Sequence, residues 1–202
     1  MTTKTNKILG AIVAIAIIIS VIVFVYVNLP KQPGTSSDDN IPPEANPTVL
    51  TLIYDDQQIN YTMALLERLE PYTAKGGYRN LLGIIKGYGN YSGVNITTLI
   101  DNFQNIPPQY SLQVTDEKGE ILMYNFTTIS GQVDIYNPEN TSEVLKGNMT
   151  MVLAYKYEGN WLNETNNGSD GKLKIVFLDE QGSITKASLW WKKVVSIRII
   201  SE

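Results

Sequence analysis

The 202-residue chain predicts an α+β, mainly β domain that follows one membrane-spanning helix. Three observations predict it. An apolar run lies near the N-terminus, a proline-rich stretch follows it, and many short β-branched segments come after, separated by turns containing Gly and Asp.

Ile8 to Val27 contains no charge, proline or amide. As a helix it spans about 30 Å, the thickness of a bilayer hydrocarbon core. Lys4, Lys7 and the terminal amine favour keeping residues 1–7 in the cytoplasm, which places the rest outside. A cleaved signal peptide is the alternative. The run exceeds the roughly 7–15-residue core of such peptides, and the exit Val25-Tyr26-Val27-Asn28-Leu29-Pro30 offers no Ala-x-Ala-like site. Residues 28–47 carry five prolines and few large apolar side chains. They read as an extended, semi-stiff stalk that leaves 48–202 as an extracellular domain. Asn-x-Ser/Thr sequons begin at Asn60, Asn90, Asn95, Asn125, Asn140, Asn148, Asn163 and Asn167. All fall on the outer side, as in an exported archaeal surface glycoprotein. Asn125 sits in an apolar run and is expected to be buried.

Net charge is −4 with no basic patch, so nucleic acid is not an expected partner. The chain has neither cysteine nor histidine. Disulfides, thiolate or imidazole metal sites, cysteine nucleophiles and Ser-His-Asp chemistry are thereby excluded. A metal site would need oxygen ligands, which suit calcium or magnesium. The acidic pairs Asp55-Asp56, Asp116-Glu117 and Asp179-Glu180 lack EF-hand spacing and read as solvated turns.

Within the domain, Thr48 to Tyr54 predicts a strand, Asp55 to Gln58 a turn and Ile59 to Tyr61 a return strand. Thr62 to Leu69 switches to helical spacing with Thr62 as N-cap, and Pro71 stops it. Leu81 to Ile85 predicts a buried apolar run before Gly-rich turns at Gly87, Gly89 and Gly93. Ile96 to Phe103 predicts a second helix. Tyr110 to Thr115 alternates strictly and pairs through Glu117–Glu120 with Ile121 to Tyr124. Val133 to Tyr136, Met149 to Tyr157, Leu173 to Leu178 and Val194 to Ile200 predict further strands, with a polar loop over 162–171.

The order of several motifs resembles the molybdopterin-binding domain of sulfite oxidase-like oxidoreductases. These are Leu65-Leu66-Glu67-Arg68-Leu69, Tyr91-Ser92-Gly93-Val94, Leu153-Ala154-Tyr155 followed by Glu158-Gly159, Gly171-Lys172-Leu173-Lys174-Ile175-Val176, and Trp190-Trp191-Lys192-Lys193-Val194. The resemblance covers nearly the whole domain and implies a fold of mixed sheets with short helices. It also implies a family whose catalytic members hold molybdenum through a cysteine thiolate and the pterin through histidine and arginine. Cysteine and histidine are absent here, and Arg68, Arg79 and Arg198 are the only arginines. Lys174 matches a basic family position, whereas Leu189 stands where a lysine usually precedes the tryptophan. Molybdopterin is therefore disfavoured as a cofactor and none is expected.

The tryptophans Trp161, Trp190 and Trp191, with Tyr78, Tyr88, Tyr91, Tyr155 and Tyr157, offer a ligand groove. Alternation along a strand instead sends Trp190 and Trp191 to opposite faces, one into the core. The glycines fit ordinary turns better than an anion cradle, because no strand–helix phosphate loop accompanies them. Tyr88, Tyr91, Lys174 and Trp190 are the residues expected at a ligand. The chain thus reads as a non-catalytic binding or interaction module. It is held to the membrane by Ile8–Val27 and meets a small molecule or a membrane or surface protein. A molybdopterin-dependent oxidoreductase or redox-complex subunit is the alternative, and a structural surface glycoprotein the third reading.

Overall fold

The computed structural model describes residues 47–139, 143–165 and 168–201. The expected helix Ile8–Val27 and nearly all of the stalk lie outside the described residues. Among the described residues, no helix is long and apolar enough to cross a membrane.

Side-chain alternation sets the architecture. Strands β1 (Leu50–Tyr54) and β5 (Tyr110–Asp116) bury every second residue. Together with β2 (Gln57–Tyr61), β6 (Ile121–Tyr124) and β14 (Val194–Ser201) they form a five-stranded sheet in the order β2-β1-β14-β5-β6. The domain's first and last strands, β1 and β14, run parallel, and the other pairs are antiparallel. The larger sheet contains β3 (Pro71–Arg79), β4 (Ile85–Asn95), β7 (Gln132–Tyr136), β8 (Glu143–Asn148), β9 (Thr150–Tyr157), β11 (Lys174–Leu178), β12 (Ile184–Lys186) and β13 (Trp191–Lys192). Its order is β13-β11-β9-β4-β3-β12-β7-β8, with β10 (Asn160–Trp161) on β9. Helices α1 (Met63–Arg68), α2 (Ile96–Ile100) and α3 (Phe126–Ile129) begin at Thr62, Asn95 and Asn125. Each of these three side chains accepts from a first-turn amide that would otherwise lack a partner.

The main core joins both sheets. Leu52, Leu112, Val114 and Ile197 from the smaller sheet meet Met151, Leu153, Ile175 and Phe177 from the larger one. The far side of the larger sheet is covered as well. Val152, Ala154, Val176 and Leu178 gather there with Tyr91, Leu162 and Trp190. All five residues of β11 are buried, so it reads as one apolar run broken only by Lys174.

Several local expectations are corrected. Leu81, Leu82 and Ile84 are not buried; they form the exposed tip between β3 and β4. Apolar composition alone suggested burial, but the segment has no neighbouring strand to lie against. Gly87, Gly89 and Gly93 are not turn residues but lie inside β4. A Cβ at Gly93 would strike the Leu153 and Ala154 backbone, so close strand approach explains the glycine. The 162–171 segment is less open than a polar loop, because Leu162 and Asp170 are buried. β3, β8 and α3 are additional elements. Trp190 and Trp191 do diverge, Trp190 into the outer cluster and Trp191 against the main core.

Gly119 and Gly131 both adopt left-handed backbone, with φ of +83° and +85°. Nothing surrounds a Cβ at Gly119, whereas one at Gly131 would collide with the Met149 carbonyl oxygen. Gly119→Ala is therefore expected to cost about 1 kcal/mol of stability, the backbone term alone. Gly131→Ala is expected to cost about 3 kcal/mol or more, because overpacking adds to it. Urea unfolding followed by tryptophan fluorescence measures both; equal costs would contradict this packing.

Candidate ligand-binding site

A lysine on a strand buried on both faces needs a counter-charge, since an unpaired ammonium away from water is strongly disfavoured. Lys174 opens β11 and shares its outer face with Val176 and Leu178; it is 4% exposed. A turn with left-handed glycines at 168 and 171 brings Asp170 back over it. Asp170 Oδ2 accepts from Lys174 Nζ at 2.9 Å, and Lys192 Nζ stands 3.3 Å from Oδ1. One carboxylate thus faces two ammonium groups.

Aromatic rings complete the enclosure. Lys174 Nζ lies 5.4 Å from the Trp190 ring, 5.6 Å from Tyr91 and 5.8 Å from Tyr78, within cation–π range. Trp190 is fixed by its indole N–H, which donates to Thr185 Oγ1 at 2.7 Å, a buried bond. Tyr91 donates to the Gly87 carbonyl at 2.9 Å and packs on Tyr157 with ring centres 4.7 Å apart. The Tyr157 hydroxyl donates to the Tyr88 carbonyl at 3.1 Å.

Beside this group lies a cavity of about 320 Å³, walled by Tyr78, Tyr91, Tyr157, Lys86, Lys174, Lys192 and Asp170, with Gly87 and Ser169. Three ammonium groups and one carboxylate give it a positive lining. Burial pushes the Asp170 carboxyl up, but the Lys174 ammonium, then Lys192, outweigh that and hold it below its ordinary value. Burial lowers the Lys174 ammonium, opposed by Asp170. Burial also raises the Tyr91 phenol well above its usual range, with Tyr157 and Asp170 adding to the effect. Tyr91 is therefore a neutral hydrogen-bonding wall. The lining can attract an anion, stack a planar group and donate hydrogen bonds.

Of the four residues expected at a ligand, the structure gathers Tyr91, Lys174 and Trp190 around one point. Tyr88 lies apart: its ring sits under Lys75 Nζ at 4.7 Å, and its backbone carbonyl accepts from the Tyr157 hydroxyl. Asp170, Lys86 and Lys192 are participants that sequence reasoning missed. The signal for Asp170 was an acid four residues before a lysine across a glycine, within a segment read as a plain loop. Among the sequons, Asn60, Asn90, Asn125, Asn148 and Asn163 are exposed and Asn95 is half-buried, while Asn140 and Asn167 lie outside the described residues. Asn125 is therefore not buried; as the α3 N-cap it faces solvent.

In a search of solved structures, the crystal structure of the sulfane dehydrogenase SoxCD from Paracoccus pantotrophus matches with a TM-score of 0.52 and 14% identity. The match covers 76% of this chain and 38% of that chain. The likeness is one of fold. It supports a sulfite oxidase-like scaffold for a mainly β domain with short helices. This chain spans well under half of that chain's length. No protein-family model matches, and no curated protein does.

The donor set decides whether a molybdenum centre of the family's kind fits. The chain contains no thiolate or imidazole, and the described residues hold no cluster of three His, Cys, Asp or Glu side chains. The cavity offers amines, phenols and one carboxylate already held by two lysines. These residues do not fit a protein-ligated molybdenum centre.

Asp170 supplies a pH test. Its folded value lies below the ordinary 3.8. The stability it contributes is complete above 3.8 and is lost as pH falls through the folded value. Asp170→Asn is expected to lower Tm at neutral pH and to flatten the decline of Tm on acidification between 3.8 and the folded value. An unchanged acid limb, measured by thermal melts across a pH series, would contradict the pairing.

Proposed function

We propose that the chain is a membrane-anchored extracellular binding module whose lysine-lined cavity takes a small anionic ligand, without redox catalysis. The observation that carries this reading is the convergence of Lys86, Lys174 and Lys192 on one aromatic-walled cavity that contains a single carboxylate. Low-dielectric walls strengthen the attraction of such a lining for an anion, and the aromatic faces favour a flat or partly apolar ligand body. Membrane anchoring rests on the uncharged run Ile8–Val27, with lysines before it and a proline-rich stalk after it. Five exposed sequon asparagines agree with glycosylation of an outward-facing domain.

A molybdopterin-dependent oxidoreductase, or a subunit of a redox complex, is the rival reading. The fold likeness to a sulfane dehydrogenase favours it. The residue chemistry opposes it, because fold persists where chemistry is lost. A contact with a membrane or surface protein at the same cavity is the third possibility.

Purified full-length chain titrated with sulfate by calorimetry tests the reading, with elemental analysis for molybdenum on the same sample. Wild type is expected to bind sulfate, and Lys86→Gln and Lys192→Gln each to weaken binding about tenfold, the loss of one charge-assisted contact. Molybdenum is expected to be absent. Near-stoichiometric molybdenum, or sulfate binding indifferent to both substitutions, overturns the proposal.

A further inference from the structure

The β3–β4 hairpin ends in a tip that is unusual for a water-facing turn. Leu81 is 105% exposed, Leu82 82% and Ile84 52%. Two leucines therefore project almost fully from one four-residue segment, and a half-exposed isoleucine joins them. The tip is nevertheless a built structure. Asn80 N donates to the Ile84 carbonyl and Gly83 N to the Asn80 carbonyl, each at 3.0 Å. The Asn80 side-chain oxygen accepts from Leu82 N at 3.0 Å and from Ile84 N at 2.9 Å. Gly83 takes a φ of +79°, the left-handed residue such a turn requires.

Two features select the surface this tip fits. The first is satisfaction of the backbone. Four of the tip's five N–H groups, those of Asn80, Leu82, Gly83 and Ile84, are bonded within the tip, which lowers the cost of seating it at the headgroup boundary of a bilayer. The second is charge. Pro71 to Ile100 contains no Asp or Glu, although the whole chain has 20 acids and a net charge of −4. Arg79 and Lys86 stand on the two strands at the base of the tip, Arg79 paired with Ile85 and Lys86 with Tyr78. A convex aliphatic point with cationic shoulders suits a fluid anionic surface. A protein pocket would more often be met by aromatic anchors, and the tip has none.

We propose that Leu81, Leu82 and Ile84 insert into a lipid surface, with Arg79, whose guanidinium lies 4.5 Å over the Tyr136 ring, facing its anionic headgroups. The proposal rests on the membrane-anchored reading above. Insertion would fix which way the lysine-lined cavity faces.

The chain lacks cysteine, so one reporter can be placed at will. Full-length Leu82→Cys, labelled with an environment-sensitive fluorophore, is reconstituted into phosphatidylcholine–phosphatidylglycerol vesicles containing nitroxide lipids, with exposed Lys118→Cys as reference. Flotation reads the anchor; quenching reads the tip. The label at 82 is expected to be quenched and blue-shifted and the label at 118 not. Adding Leu81→Ser and Ile84→Ser is expected to lower the inserted-to-free ratio roughly a hundredfold, tenfold per aliphatic side chain withdrawn from water. Flotation with equal quenching at both positions overturns insertion and spares the anchor, and it is also the result a protein partner for the tip would give. Flotation that is lost on Leu81→Ser and Ile84→Ser overturns the anchor and spares insertion. Equal quenching in phosphatidylcholine alone overturns the role of Arg79.

Discussion

The arrangement of the outer cluster depends on how one charge is kept out of water. Lys174 occupies a strand whose neighbours on both faces are apolar, so its ammonium must be compensated where it lies. Asp170 provides the bond, three aromatic rings provide a polarizable wall, and Lys192 shares the carboxylate from the cavity side. Such a pair is weak evidence for stability, because desolvation offsets much of the attraction. It is better evidence of placement. It holds the 168–171 turn against the sheet and sets Tyr91 and Trp190 at fixed angles, 68° between ring planes.

The larger sheet serves two ends with one set of strands. One face of β9 and β11 seals the sandwich, and the other carries the cavity. Packing on the first face fixes the strand positions to within a side chain, and the second inherits that rigidity. A rigid, aromatic, positively lined cavity suits recognition of a small anion. The likeness to SoxCD lies in the scaffold, and the side chains here lack the cysteine thiolate and imidazole that would carry a protein-held transition metal.

Much of this fold was legible in the residues, for a physical reason. Strands that bury one face show period-two alternation, and Tyr110 to Thr115 displays it plainly. Helix starts were legible where a capping side chain precedes a hydrophobic turn, as at Thr62. The failures are equally specific. Leu81 to Ile84 has the composition of a core segment, but burial depends on a neighbour that no local pattern reveals. Gly89 and Gly93 resemble turn residues because glycine serves both sharp turns and close strand contact, and only the Tyr157 and Leu153 neighbours distinguish the two. In the site, Lys174, Tyr91 and Trp190 stood out by residue type and strand position. Asp170 did not, because its role comes from a chain reversal four residues long. Lys86 and Lys192 come from strands that flank the cavity from opposite sides, a pairing fixed by sheet order alone.

The central claim is that Lys174 and its neighbours form an anion receptor built around a buried pair. The most direct measurement is nitrogen-edited NMR of the lysine ammonium groups in the full chain, during a sulfate titration. The account expects slowly exchanging Lys174 ammonium protons and a shared saturation curve for Lys86, Lys174 and Lys192, with other lysines unmoved. A uniform drift of all lysine signals, or a Lys174 ammonium that exchanges as fast as an exposed one, would contradict it.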